Sequence, residues 1–419
     1  MPGGPAHHLT DISSAAASYV DLSPASMPPC LPKVALVMSG GGARAAYQVG
    51  VLKAIAEMLP EDAPNPFPVI CGTSAGAING AALAIYATRF QEGVRRLGMI
   101  WSNFQVQQVF RSDVRGIASS GARWLMALLL GGMGKRNPRA LLDRSPLYAL
   151  LQKYLPCDKI QESIDAGALH AFSVTASGYT SAQSVTFFQG VSSLAPWKRA
   201  RRIGCAAPIT VDHLMASSAI PFIFSAIRIN REYFGDGSMR QVAPLSAALH
   251  LGADRILVIG ARHDAEDQPP RVKVEAEDYP SLAQIAGHVL NSIFLDSLEV
   301  DMERLQRINN TLKTIPPQYL KDGGMTLRQV DVMSISPSTD IAKIAERHAF
   351  SLPRPVRYLL RGIGAYNRDG ANLVSYLLFE KSYCRELMAL GYEDALRHKD
   401  QVKAFLDVSV DAQAVQKAG

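Results

Sequence analysis

Scarcity narrows this 419-residue chain before any motif does. Its five cysteines (Cys30, Cys71, Cys157, Cys205, Cys384) stand far apart with no Cys-x-x-Cys pair. That spacing excludes a disulfide framework and a thiolate metal site, and points to reduced thiols in a cytoplasmic protein. Charge of one sign is also in short supply. The excess is +6, with Lys and Arg dispersed apart from short clusters, so no nucleic-acid footprint is present and at most a bias toward anionic surfaces remains. Long apolar runs are missing too. The uncharged run Cys71–Ala87 is built mainly from Ala, Gly, Ser and Thr, too weakly apolar for lipid, and reads as a buried helix. Met1–Ser26 has neither a charged n-region nor an apolar h-region. It reads as a disordered leader, taken over residues 1–30, rather than a secretory signal.

What is present is an ordinary globular composition, 48% apolar and 19% charged, in a chain long enough to bury a large core. Lys33–Met38 reads as a buried strand, 45–58 as a helix, 67–71 as a second strand and 75–88 as a second helix. That β-α-β-α order predicts a parallel sheet with helices on its faces. Further strands are expected at 171–177, 184–189, 222–229, 255–259 and 330–335. Helices are expected at 244–251, 281–311 and 354–407. The Pro- and acid-rich stretch His263–Pro280 reads as a loop or boundary.

Two of the turns carry chemistry. Gly40-Gly41-Gly42 sits where the first strand hands over to its helix. A glycine run there implies bare backbone close to a ligand, either a phosphate or a developing oxyanion. A dinucleotide fingerprint needs a glycine at position 45, which is alanine. Gly72-Thr73-Ser74-Ala75-Gly76, placed between strand and helix, has the form of a nucleophile elbow. With Ser74 as nucleophile, the glycine run becomes a source of oxyanion-binding amides, and Arg44 either adds positive charge or braces the loop. A serine needs a base. His213, His250, His263 and His288 lie mid-chain, none in an obvious catalytic turn. Asp236, between Gly235 and Gly237, is either such a base or part of an ordinary turn.

Four segments occur in the order and approximate spacing of patatin-like phospholipases: Gly40-Gly41-Gly42-Ala43-Arg44, Gly72-Thr73-Ser74-Ala75-Gly76, Ala216-Ser217-Ser218-Ala219-Ile220-Pro221 and Asp236-Gly237-Ser238. The chain resembles that family over about Lys33–Gly260. The resemblance implies a three-layer α/β/α fold and hydrolysis of lipid acyl esters. It also implies a Ser74–Asp236 dyad without histidine or metal, with Gly40, Gly41 and Gly42 at the oxyanion. One departure is Ser238, where the family has glycine or alanine. The implied organisation is a catalytic domain over 31–265 followed by a mostly helical region over 266–419. The implied partners are a lipid substrate and the surface of a membrane, with no cofactor and no nucleic acid. Two other readings stay open: a Ser-His-Asp carboxylesterase, and a catalytically silent lipid-binding scaffold. Finally, the apolar stretch Trp124–Met133, followed by Lys135, Arg136 and Arg139, reads either as a core helix or as a flap that meets the lipid interface.

Overall fold

The computed structural model describes residues 33–113, 126, 129, 140–260, 279–316, 327–366 and 370–406. The expected leader, residues 263–278 of the expected loop, and the Trp124–Met133 stretch except Met126 and Leu129 lie outside the described residues. Both of those exceptions are exposed. No helix among the described residues is long and apolar enough to cross a membrane.

Strand β1 (Val34–Met38) is apolar at every position and buried throughout, as a central strand covered on both faces must be. It pairs in parallel with β2 (Val69–Thr73) on one edge and with β9 (Arg255–Ile259) on the other. Strand β10 (Asp331–Ile335) extends the sheet beyond β9, again in parallel. On the far side of β2 lies β3 (Ala171–Gly178), then β4 (Ser184–Gly190), β6 (Arg202–Ala206) and β5 (Trp197–Arg199). Two short strands, β7 (Ile227–Ile229) and β8 (Glu232–Asp236), pair with each other, and β8 also pairs with β3.

Alternation along β1 assigns the two faces. Val34, Leu36 and Met38 pack into a core shared with the helices Ala46–Met58 and Ala75–Ile85. Ala35 and Val37 face a second core, with Ala247 and Ala248 of Ser246–His250 and Leu298 and Leu305 of Ser297–Thr314. The result is a mixed α/β fold of three layers. Phe222–Ile229 was expected to be extended, yet only Ile227–Ile229 is strand. Pro221 opens a turn there, Ile223 N–H donates to its carbonyl at 2.7 Å, and Phe222 takes a φ of 64°. The sequence pattern does not show β5, β6 and β8, which are short and carry basic or glycine positions.

The late helix Lys381–Arg397 lies along Ala46–Met58. Glycines permit the close approach. A Cβ on Gly50 would overlap the Met388 carbonyl, and one on Gly391 the Tyr47 carbonyl. Buried Asp394 fastens the seam. Its Oδ2 accepts from Tyr47 Oη at 3.1 Å and from Ser338 N–H at 3.0 Å, and its Oδ1 from Arg397 at 2.8 Å.

A contrast among glycines tests this packing. Gly50→Ala and Gly391→Ala each push a methyl into backbone and should destabilise by about 1–3 kcal/mol or more. Gly98→Ala meets only the Met388 side chain at an ordinary 3.6 Å. In mid-helix it should stabilise by about 0.5–1 kcal/mol. Urea unfolding of the three variants measures both signs.

Candidate active site

The carboxyl ends of β1 and β2 are neighbours, so the turns that leave them are neighbours too. After β2, Ser74 takes a φ of 54° and a ψ of −127° before entering helix Ala75–Ile85. A non-glycine residue held there stores on the order of 1–3 kcal/mol and needs support from its surroundings. The surroundings supply it. Ser74 N–H donates to Ser217 Oγ at 2.8 Å, and Ser217 Oγ donates on to the Thr175 carbonyl at 2.6 Å. A Cβ on Gly72 would overlap Ala77, and one on Gly76 the Met38 carbonyl. The two glycines of the pentapeptide are therefore steric requirements of the turn.

Asp236 reaches the same place through the sheet. On one edge β3 pairs with β2 over Ala171–Thr175, ending at Thr73 opposite Thr175. On its other edge it pairs with β4 over Ala171–Ser177. Its last three residues outrun β2, and β8 pairs with them instead, placing Asp236 opposite Ala176. Strand β8 thus occupies the edge that β2 vacates, running toward it, and its last residue meets the residue after Thr73.

The carboxylate is wholly buried. Asp236 N–H donates to the Ala219 carbonyl at 2.9 Å, and Oδ1 accepts from Ser238 N–H at 3.0 Å. The Ser74 side chain acts on the carboxylate and favours its ionised form. Even so, Oδ2 has no partner of full hydrogen-bond geometry among the described residues. A loose contact of this kind is common in unliganded active sites. Burial pushes the Asp236 pKa up to about 6, against the lowering effects of Ser74, Ser238 and Arg144. Gly237 is required next in the chain, since a Cβ there would overlap the Thr175 carbonyl. Ser238 fits without displacing the acid and hydrogen-bonds it.

Arg144 carries no signal in the sequence. It sits between Asp143 and Ser145 in a polar run and is nonetheless only 3% exposed. Its guanidinium donates to the Ser225 carbonyl at 2.7 Å and Ser218 Oγ at 3.4 Å, lies 5.5 Å from the Phe224 ring centroid, and leaves Nε unpartnered. Burial lowers its pKa to about 10, while the charge of Asp236 opposes that shift. The pair is a buried cation facing a buried acid, without a direct salt bridge.

The glycine run stands beside Ser74. Gly42 has a φ of 55°, and a Cβ on it would overlap the Tyr376 carbonyl. No acceptor among the described residues pairs with the amides of Gly41 or Gly42. A Cβ on Gly40 would crowd Ser238 Oγ and Phe294 at 2.7 Å. Arg44 points away into protein. It is 3% exposed, donates to Ser375 Oγ at 2.7 Å and Asn372 Oδ1 at 3.2 Å, and lies 4.0 Å from the Tyr376 ring centroid. Of its two expected roles, these contacts match bracing the loop. Gly42 and Ser74 both border a cavity of about 380 Å³.

Two of the histidines named from sequence, His213 and His250, have other partners, and His263 lies outside the described residues. His213 Nδ1 lies 2.9 Å from Thr210 Oγ1, with its ring edge-on to Phe187. His250 Nδ1 lies 2.7 Å from the Ser246 carbonyl, and its ring stacks on Trp197. An arrangement of serine, buried acid and free amides can transfer an acyl group.

The family model for the patatin-like phospholipase matches residues 36–249. Over 78 residues the chain is 42% identical to Lysophospholipase nte1 of Aspergillus terreus, a match that covers 17% of this chain and 5% of that much longer protein. The crystal structure of VipD from Legionella pneumophila aligns with a TM-score of 0.31 at 12% identity, covering 88% of this chain and 67% of that one.

The raised pKa has a consequence for stability. A carboxyl near 6 when folded and near 3.8 when unfolded destabilises the fold above pH 6, and the penalty vanishes below about pH 4. Asp236→Asn should therefore stabilise the protein by up to roughly 3 kcal/mol at pH 8. The gain should shrink to nothing at pH 4, as read by urea unfolding at the two values.

Proposed function

The chain belongs to the patatin-like phospholipase family, and on that premise we propose that it is a serine hydrolase cleaving lipid acyl esters through Ser74 and Asp236. The observation that supports this reading is the end-on meeting of β2 and β8 along β3, with the Ser74 turn at one strand end and at the other a wholly buried carboxylate on which the Ser74 side chain acts.

The steps follow from the groups present. Asp236 accepts the Ser74 proton as Oγ attacks the acyl carbonyl carbon. The negative charge that develops on the carbonyl oxygen is met by the amides of the Gly40–Gly42 turn, of which those of Gly41 and Gly42 are unengaged among the described residues, each such donor contributing about 3–4 kcal/mol in the transition state. Collapse expels the alcohol portion of the lipid, which takes its proton from Asp236, and leaves an ester on Ser74. Water then attacks that ester, giving its proton to Asp236, and the fatty acid departs as Ser74 is restored. Hydrogen bonds from Ser74 and Ser238, and to a lesser degree the positive charge of Arg144, oppose the effect of burial on Asp236 and keep the acid available as a base near neutral pH.

A lipid bilayer is the source of substrate in this reading. Phe222 is 77% exposed and stands between Ile220 and Phe224, two residues of the cavity wall. Its apolar surface is suited to the interface from which the lipid is drawn.

Release of fatty acid from defined phospholipids, read by mass spectrometry, tests the assignment. Ser74→Ala and Asp236→Asn should each lower turnover by at least about a thousandfold. His213→Ala and His250→Ala should retain it. A folded Ser74→Ala protein with a tenth of the parent rate would overturn the proposal.

A further inference from the structure

The cavity that begins at Ser74 is elongated along a helix. Ser74, Ile78, Ala82 and Tyr86 all border it, and their spacing of four residues places them on one ridge of helix Ala75–Ile85 and its two flanking positions. Facing that ridge are apolar side chains, among them Leu97, Trp101 and Leu151, each less than 5% exposed. Polar side chains border it beyond Ser74 as well, namely Arg96, Asn103 and Gln108. At the Tyr86 end stands Arg96, its side chain 54% exposed and its guanidinium 5.1 Å from the Tyr86 ring centroid.

Such a groove selects by length. Twelve residues of rise separate Ser74 from Tyr86, about 18 Å at 1.5 Å per residue. An extended chain advances about 1.2 Å per bond, since three backbone bonds span at most about 3.6 Å. The ridge therefore matches about fifteen carbons. One extended chain, and not two side by side, suits a walled groove of about 380 Å³.

We infer that this ridge measures the acyl chain: a single saturated chain of about fourteen to sixteen carbons lies along it, its ester at Ser74 and its methyl end at Tyr86. The inference rests on Ser74 as the residue that is acylated. Ile78 marks about 6 Å from the ester, or five carbons, and Ala82 about 12 Å, or ten carbons. A large side chain at either position closes the groove at that mark.

The test is kcat/KM for p-nitrophenyl esters from C4 to C18, with each value divided by the C4 value of the same variant so that loss of folded enzyme cancels. Parent enzyme should climb to about C14–C16 and then level off, because further carbons emerge into water. Each buried methylene is worth about fourfold. Ala82→Phe should therefore stop the climb near C10 and lower the C16-to-C4 ratio at least a hundredfold. Ile78→Trp should stop it near C5, and either variant alone carries the test. Profiles that match the parent, or that break at one common length in both variants, would overturn the inference. Ser74→Ala separates the two levels. If it turned over the series like the parent, the reading of Ser74 would fall, whereas unshifted profiles beside an inactive Ser74→Ala would remove the measuring role alone.

Discussion

Strand β3 is three residues longer than the pairing β2 can give it, and the site depends on that mismatch. Backbone groups left unpaired in a buried sheet are expensive. The free edge of Ala176–Gly178 is taken by β8 arriving from the opposite direction. Two residues 162 positions apart in the chain are thus brought together by sheet register, which a slip of one residue would destroy by turning every side chain to the other face. The supporting contacts converge on the same strand. Ser217 ties the Ser74 amide to the Thr175 carbonyl, and Gly237 is small because that carbonyl is close. A single strand end fixes both sides of the proposed dyad.

Burial then shapes the chemistry. A carboxylate with no exposure to solvent would hold its proton, and an acid that holds its proton is no base. The counterweights are the Ser238 amide, the Ser74 hydroxyl and the charge of Arg144, which together leave its pKa about two units above the ordinary value, not further. Arg144 is itself held at a disadvantage, with Nε unpartnered and its pKa lowered by burial. Both groups are less stable than they would be in water. Such a concentration of strained and poorly solvated groups at one point is characteristic of sites shaped by activity more than by stability.

Legibility in the sequence followed the range of the forces involved. The first two strands and helices were readable because burial on both faces leaves an apolar run, and the helical period follows directly. The glycines around Ser74 were readable because their reason is local crowding. Asp236 was singled out as one of two possibilities by its turn and favoured only through the family resemblance, since its meeting with Ser74 is a matter of register. Arg144 and Ser217 were missed as functional residues: a buried arginine in a polar run and a serine in a short helix differ from surface residues only in what surrounds them. The bracing of Arg44 by Asn372 and Ser375 joins segments more than 300 residues apart, and no local pattern encodes it.

The central claim is that Asp236 draws the proton from Ser74. It is tested most directly by the pH dependence of covalent capture with a fluorophosphonate, the adduct located by peptide mapping. The account predicts an adduct on Ser74 whose rate of formation rises through about pH 6, the value to which burial pushes Asp236, and falls by orders of magnitude in Asp236→Asn above that pH. An adduct on another residue would contradict it, as would an Asp236→Asn protein that captures the probe at the parent rate.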